Sequence, residues 1–193
     1  MTVTVVGIGL IGGSFALALR DKGIAKRVIG VESNEEHKRK ALALRVVDEV
    51  KDLDEAIKES DLIFLAVPVD AATELLPSIL DKVDKQVVMD AGSTKEGITE
   101  AIKDHPKRKR FVGTHPMWGT EYSGPEAAVH DAFRGRSYVI CEKEKSAPDA
   151  VATMEKIYSL LGMSLVYMNA KSHDVHAAYV SHISHLTSFA IAN

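Results

Sequence analysis

Two hydrophobic patterns alternate along the chain. One is a short continuous apolar run, at residues 3–6, 28–31, 62–67, 86–90, 111–114, 137–141 and 165–167, with the length and β-branched content of a buried strand. The other places apolar residues three and four apart, the period of a helix with one buried face. It predicts helices over 10–22, 33–44, 54–58, 70–80, 94–103 and 148–161, and a last one from about 170 that is still running at Asn193. Val46 and Val47 suggest a short strand or turn. Strands alternating with helices call for an α/β fold, a Rossmann-type, doubly wound, mostly parallel sheet. Right-handed crossovers then bring the strand C-termini to one edge, where the loops carry the ligand.

The first such loop is the most informative. Val3-Thr4-Val5-Val6 leads directly into Gly7-Ile8-Gly9-Leu10-Ile11-Gly12, and a helix follows at once. Gly7 permits the tight turn out of the strand, and Gly9 lets backbone approach a pyrophosphate. Gly12 lets the helix pack close to the strand. The helix then turns its first N–H groups and the positive end of its dipole toward the phosphates. The second strand ends at Glu32, about 20 residues beyond Gly12, where a carboxylate accepts from an adenosine ribose. That acid welcomes a 2′-hydroxyl and repels a 2′-phosphate, so NAD is expected over NADP. Ser33 follows, and Ser33-x-x-Glu36 has the form of a capping box for the second helix.

Composition narrows the partners. Lys plus Arg number 24 against 27 Asp plus Glu, a net −3 that argues against nucleic acid or an anionic membrane. With 193 residues and 46% hydrophobic content, the chain suits one domain with a sizeable core and the start of a second. The basic run Lys107-Arg108-Lys109-Arg110 reads as a solvated loop. Cys141 is the one cysteine, expected as a small buried hydrophobe in a reducing compartment. The start carries no leader pattern and no apolar run approaches membrane-spanning length, so a cytoplasmic protein is expected.

Three further strand-end loops carry candidate chemistry. Val67-Pro68 reads equally as a rigid wall beside the cofactor and as a simple strand terminator. Ser93 is either the cap of the following helix, through Ser93-x-x-Glu96, or a hydroxyl at the ligand edge. His115 is held extended by Pro116 just past a strand end, which aims its imidazole at the crevice. In the last helix, His173 and His176 point roughly opposite to His182 and His185 at about 100° per residue, so no metal site is expected. Either His182 and His185, with Ser181, form one face that closes over the crevice, or one histidine of each pair is merely exposed.

In order, the chain shows Gly7-Ile8-Gly9-Leu10-Ile11-Gly12-Gly13-Ser14, Val67-Pro68-Val69, Gly92-Ser93-Thr94-Lys95, Gly113-Thr114-His115-Pro116-Met117 with Gly119-Thr120-Glu121, and Ser181-His182-Ile183-Ser184-His185. With these motifs it resembles the prephenate/arogenate dehydrogenase family of tyrosine biosynthesis, and the last two segments are the most specific. The resemblance implies that His115 is the catalytic histidine, bonding the 4-hydroxyl of the substrate ring, and that Ser93 faces the substrate. Glu121, beside Thr120, resembles the family's gating or orienting acid, while Ser181, His182 and His185 match its substrate-side residues. Gly7, Ile8, Gly9, Leu10, Ile11 and Gly12, with Glu32, Ser33, Val67 and Pro68, correspond to its NAD site. Residues 1–168 would be the NAD-binding domain and 169–193 the first helix of an all-helical dimerisation and substrate domain, hence a homodimer.

Family members draw from that helical domain an arginine that grips a substrate carboxylate, and no arginine follows Arg136 here. The implied activity is NAD-dependent oxidative decarboxylation of prephenate to 4-hydroxyphenylpyruvate, with a small-molecule substrate and no metal. The alternatives are arogenate as substrate, another Rossmann-type small-acid oxidoreductase, and a non-catalytic NAD-binding module. Tyr179, Ile183, Leu186, Phe189 and Ile191 make the last helix apolar around much of its circumference. Such a helix expects neighbours on several sides, and without them an exposed patch or self-association.

Overall fold

The computed structural model describes the backbone of residues 1–182 and the side chains of residues 1–180. The elements run β1 (Thr2–Val6), α1 (Leu10–Asp21), β2 (Arg27–Val31), α2 (Glu35–Ala43), β3 (Glu49–Val50), α3 (Leu53–Glu59), β4 (Leu62–Leu65) and α4 (Val69–Lys82). They continue as β5 (Val87–Asp90), α5 (Glu96–Ala101), β6 (Phe111–Pro116), β7 (Ser137–Cys141), α6 (Pro148–Leu160), β8 (Ser164–Met168) and α7 (Ala170–Ala177), with a π-helical turn at Ala178–His182. The strands form one sheet in the order β3-β2-β1-β4-β5-β6-β7-β8. Neighbouring strands are parallel except β6 and β7, which pair antiparallel with His115 opposite Val139.

Both faces of the sheet are covered, which is why the strand runs carry no polar alternation. Along β4, Leu62 and Phe64 join one core with Val3, Val5, Phe15 and Tyr158, beneath α1 and α6. Ile63 and Leu65 point the other way, into a core with Ile57, Leu76, Ile79 and Ile98 of α3, α4 and α5. Phe15 anchors the first core, its ring centroid 4.4 Å from that of Phe64 and 6.1 Å from that of Tyr158.

Several boundaries differ from expectation, each for a local reason. Helix α2 is capped by Asn34, whose Oδ1 accepts from the N–H groups of Glu36 and His37. Ser33 is not the cap, because the Glu32 carboxylate already draws in the N–H groups of Ser33 and Asn34 and delays the helix by one residue. Val46 and Val47 lie in the expected turn, with buried side chains, and the short strand β3 begins two residues later. The basic run is a 3-10 turn that staples elements together rather than a solvated loop. Arg108 is buried and donates to the Phe111 carbonyl, while Lys107 and Arg110 donate to main-chain oxygens of Val83 and Gln86. No helix among the described residues is long and apolar enough to cross a membrane.

Candidate active site

The sheet order sets loops from β1, β4, β5 and β6 side by side along one edge. At the first, Gly7 has φ +90°, and a Cβ there would lie 2.6 Å from the Ala66 carbonyl oxygen of the β4 loop. A Cβ on Gly12 would overlap the Gly7 carbonyl and come within 2.8 Å of Val5 Cγ1. Gly9 is different: a Cβ there would meet nothing within 4 Å. The backbone thus faces open space at the N-terminus of α1, where the N–H groups of Leu10, Ile11 and Gly12 have no carbonyl within the helix to bond. These residues fit a dinucleotide's phosphates, since two glycines close the turn and the third leaves it uncovered.

Glu32 closes the neighbouring side. Its Oε2 accepts from Ile8 N–H at 3.0 Å, and its Oε1 from Ser33 and Asn34 N–H at 2.9 and 3.0 Å. Three donors leave part of the carboxylate's acceptor capacity open, and they hold it in one orientation beside the glycine loop. Ile8 is itself buried against Gly30, where a Cβ would collide with its Cδ1. Val67 packs over Gly7, with its Cγ1 2.8 Å from the position of a Gly7 Cβ, and Pro68 is the cap residue from which α4 starts.

At the β5 loop, Ser93 does not cap α5. The helix starts only at Glu96, and the N–H groups of Lys95 and Glu96 donate to Asp174 of α7 at 2.7 and 2.9 Å. A carboxylate from a distant element has taken the cap's place, and the exposed Ser93 hydroxyl makes no hydrogen bond among the described residues. The loop is held from beneath by Asp90 and Lys95, an ion pair with both side chains fully buried. Asp90 also accepts from Gly92 N–H and Thr114 N–H, and the Thr114 hydroxyl donates to its carbonyl. This network ties the Ser93 loop to β6 one residue before His115.

His115 lies within β6 rather than past its end, because pairing with β7 carries the strand on to Pro116. It is half-buried, and its Nδ1 is 2.9 Å from Nε2 of His173. His173 is 2% exposed, and its own Nδ1 is 2.7 Å from Oδ1 of Asp174. Burial pushes the Asp174 carboxyl up, but the hydrogen bonds from Glu96 N–H, His173 and Lys95 N–H together outweigh it and hold the group below its ordinary range. Of the first histidine pair, then, His173 is buried and joined to His115, and His176 is exposed.

Thr120 and Glu121 sit on the exposed segment after β6, where Thr120 Oγ1 accepts from Tyr122 N–H and Glu121 makes no polar contact among the described residues. They are not brought to His115 by any contact. The side chains of Ser181 and His182, and all of His185, lie outside the described residues. No cluster of three potential metal ligands occurs among the described residues. The sequence marks His173 only as one of four helix histidines and assigns no role to Asp174 or to an Asp90–Lys95 pair. The one available signal was the His173-Asp174 dipeptide, a carboxylate beside an imidazole.

Residues 15–167 match the family model described as prephenate dehydrogenase, nucleotide-binding domain. The chain belongs to the prephenate dehydrogenase family. It is 30% identical to the prephenate dehydrogenase of Bacillus subtilis (strain 168) over all of this chain and 53% of that protein. It is 28% identical to the cyclohexadienyl dehydrogenase of Zymomonas mobilis, over 97% of this chain and 64% of that one. The crystal structure of prephenate dehydrogenase from A. aeolicus in complex with hydroxyphenyl propionate and NAD+ superposes with TM-score 0.91 at 29% identity, covering all of this chain and 68% of that one. Synechocystis arogenate dehydrogenase superposes at TM-score 0.83 and 27% identity over the same shares. The chain thus spans about half to two thirds of the length of these relatives.

Proposed function

We propose that this chain is the NAD-binding part of a dehydrogenase that oxidatively decarboxylates prephenate to 4-hydroxyphenylpyruvate. The observation that carries the reading is the sequence of loops along one sheet edge: the open glycine turn after β1, the Val67-Pro68 wall after β4, Ser93 after β5 and His115 in β6. Gly9 and the first turn of α1 would hold a coenzyme's pyrophosphate and Glu32 its adenosine ribose, with Ser93 and His115 farther along the same edge. NAD, when bound, supplies the two-electron acceptor. His115 acts as the general base, drawing off the proton of the ring hydroxyl as the carbon bearing it is oxidised. The ring carboxylate leaves as CO₂, and the aromatic ring that results makes the step irreversible. Ser93 offers its unused hydroxyl to the substrate oxygen. Thr120, Glu121, Ser181, His182 and His185 complete the substrate side, in a cytoplasmic homodimer joined through the region that begins at α7.

The test is absorbance at the reduced-nicotinamide band with prephenate, then arogenate, under NAD⁺ and NADP⁺. Prephenate with NAD⁺ is expected to give the highest kcat/KM. His115→Asn should bind NAD nearly normally and lose turnover by ~10²–10⁴, the usual worth of a positioned base. Retention of most of kcat in that variant would remove His115 from the mechanism. Arogenate as the faster substrate would move the assignment within the family.

A further inference from the structure

The chain of contacts behind His115 dictates where its proton sits. Asp174 is a carboxylate and only accepts, so the His173 nitrogen 2.7 Å away, Nδ1, carries the hydrogen. In a neutral imidazole the other nitrogen is then an acceptor, and His173 Nε2 is the atom 2.9 Å from His115 Nδ1. His115 must therefore donate from Nδ1, which leaves the lone pair on its Nε2. His173 also borders an apolar cavity of about 190 Å³, lined by Met117, Val139, Val166, Met168, His176 and Val180 among others. The nearby Asp90 and Lys95 charges compensate one another. Asp174, the one carboxylate bonded to His173, is turned by the N–H groups of Lys95 and Glu96 on α5.

We propose that His173 and Asp174 are positioning residues that hold His115 as the tautomer protonated on Nδ1, so that its Nε2 is the atom that takes the substrate's proton. The last clause rests on the proposed function; the tautomer itself does not. The arrangement has the logic of a base oriented by a third group, with an extra imidazole inserted between base and carboxylate. It also explains why α7 reaches back onto the sheet edge: one carboxylate serves both as the missing cap of α5 and as the fixed end of the relay.

The decisive measurement is the ring-nitrogen NMR spectrum of the ¹⁵N-histidine-labelled protein near pH 8, where imidazoles are neutral. Wild-type His115 should show its proton on Nδ1. His173→Leu removes the acceptor, and His115 should shift toward the Nε2-protonated form. His173→Gln places a side-chain carbonyl where Nε2 was and should restore the wild-type pattern. In turnover of prephenate, His173→Leu should lower kcat about 100-fold with KM within about twofold, and His173→Gln should recover about tenfold of that. A wild-type His115 protonated on Nε2, which a doubly protonated His173 would impose, overturns the proposal. So does a tautomer unchanged by His173→Leu. If the leucine variant fails to fold, the wild-type and glutamine spectra still decide, because both must show the Nδ1 proton. A protein whose tautomer responds as stated but that oxidises no prephenate would sink the proposed function and leave the relay standing.

Discussion

Replacing Lys95 with methionine would strand a charge that the fold has sealed from water. Lys95 and Asp90 are both fully buried and pair directly. The other partners of the carboxylate are two backbone N–H groups, Thr114 at 3.0 Å and Gly92 at 2.9 Å. Methionine keeps the apolar stem, so the ammonium is what is lost. Staying ionised without a cation costs about 3–5 kcal/mol, the usual penalty for breaking a buried pair on one side. Taking up a proton near pH 7 costs about 4 kcal/mol, at roughly 1.36 kcal/mol for each of the three pH units that separate an ordinary aspartate from neutrality. The two routes cost about the same, so a loss of about 4 kcal/mol is expected at pH 7. A carboxyl protonated when folded and ionised when unfolded confers stability that is present at low pH and lost as pH rises. The deficit should therefore narrow to about 1–2 kcal/mol near pH 5. Urea unfolding at both pH values, with unchanged m-values, measures it. The double variant Asp90→Asn/Lys95→Met carries neither charge and should recover at least half the loss at pH 7, with little pH dependence. A Lys95→Met deficit below about 1 kcal/mol, or one equal at the two pH values, would refute the claim that this pair holds the β5 loop.

Three further outcomes are expected. Glu32→Ala removes the anchor of the Ile8 N–H and the proposed ribose acceptor, so NAD affinity should fall roughly 10- to 100-fold and the preference over NADP should narrow; a wild type preferring NADP would contradict the assignment. Gly12→Ala should destabilise by about 1–3 kcal/mol and weaken NAD binding in a fluorescence titration, because the new Cβ overlaps the Gly7 carbonyl; a variant of wild-type stability would show that α1 has room to move. Burial pushes the Cys141 thiol up to about 12, so a thiol reagent near pH 8 should label it only as fast as the protein unfolds, and immediate labelling in the folded state would contradict its position in β7.

How much was legible before the structure depended on whether a residue's partner lay close in sequence. The glycine turn and the doubly wound sheet follow from local spacing and from handedness rules, and the structure has both; His115, expected just past a strand end, lies inside β6 because pairing with β7 extends the strand. Neither capping-box pattern makes the cap: the pattern predicts Ser33 as one, and leaves Ser93 open between a cap and a hydroxyl at the ligand edge. Ser33 lost to a turn organised by Glu32, and Ser93 lost to Asp174, a carboxylate about 80 residues away in the chain. The basic run misled for the same reason, since its acceptors are carbonyls of other loops. The helical wheel over the four histidines assumed one unbroken α-helix. A π-helical turn at Ala178–His182 interrupts it, and the wheel cannot be carried across that turn to His182 and His185.

The boundary drawn at residue 168 separates the sheet from α7, yet the contacts do not respect it. The N-terminus of α5, the loop bearing Ser93 and the ring of His115 are each finished by α7, through two adjacent residues, His173 and Asp174. A helix short of its own cap has two N–H groups that must be satisfied, and a half-buried histidine has a nitrogen that must be oriented. Supplying both from one dipeptide makes the geometry of the sheet edge depend on where α7 sits. Any displacement of α7 would release the α5 cap and the His115 proton position together. Cutting the chain at the last strand would therefore leave the α5 N-terminus and the His115 ring without these partners, even though the core and the glycine turn are built from residues before it.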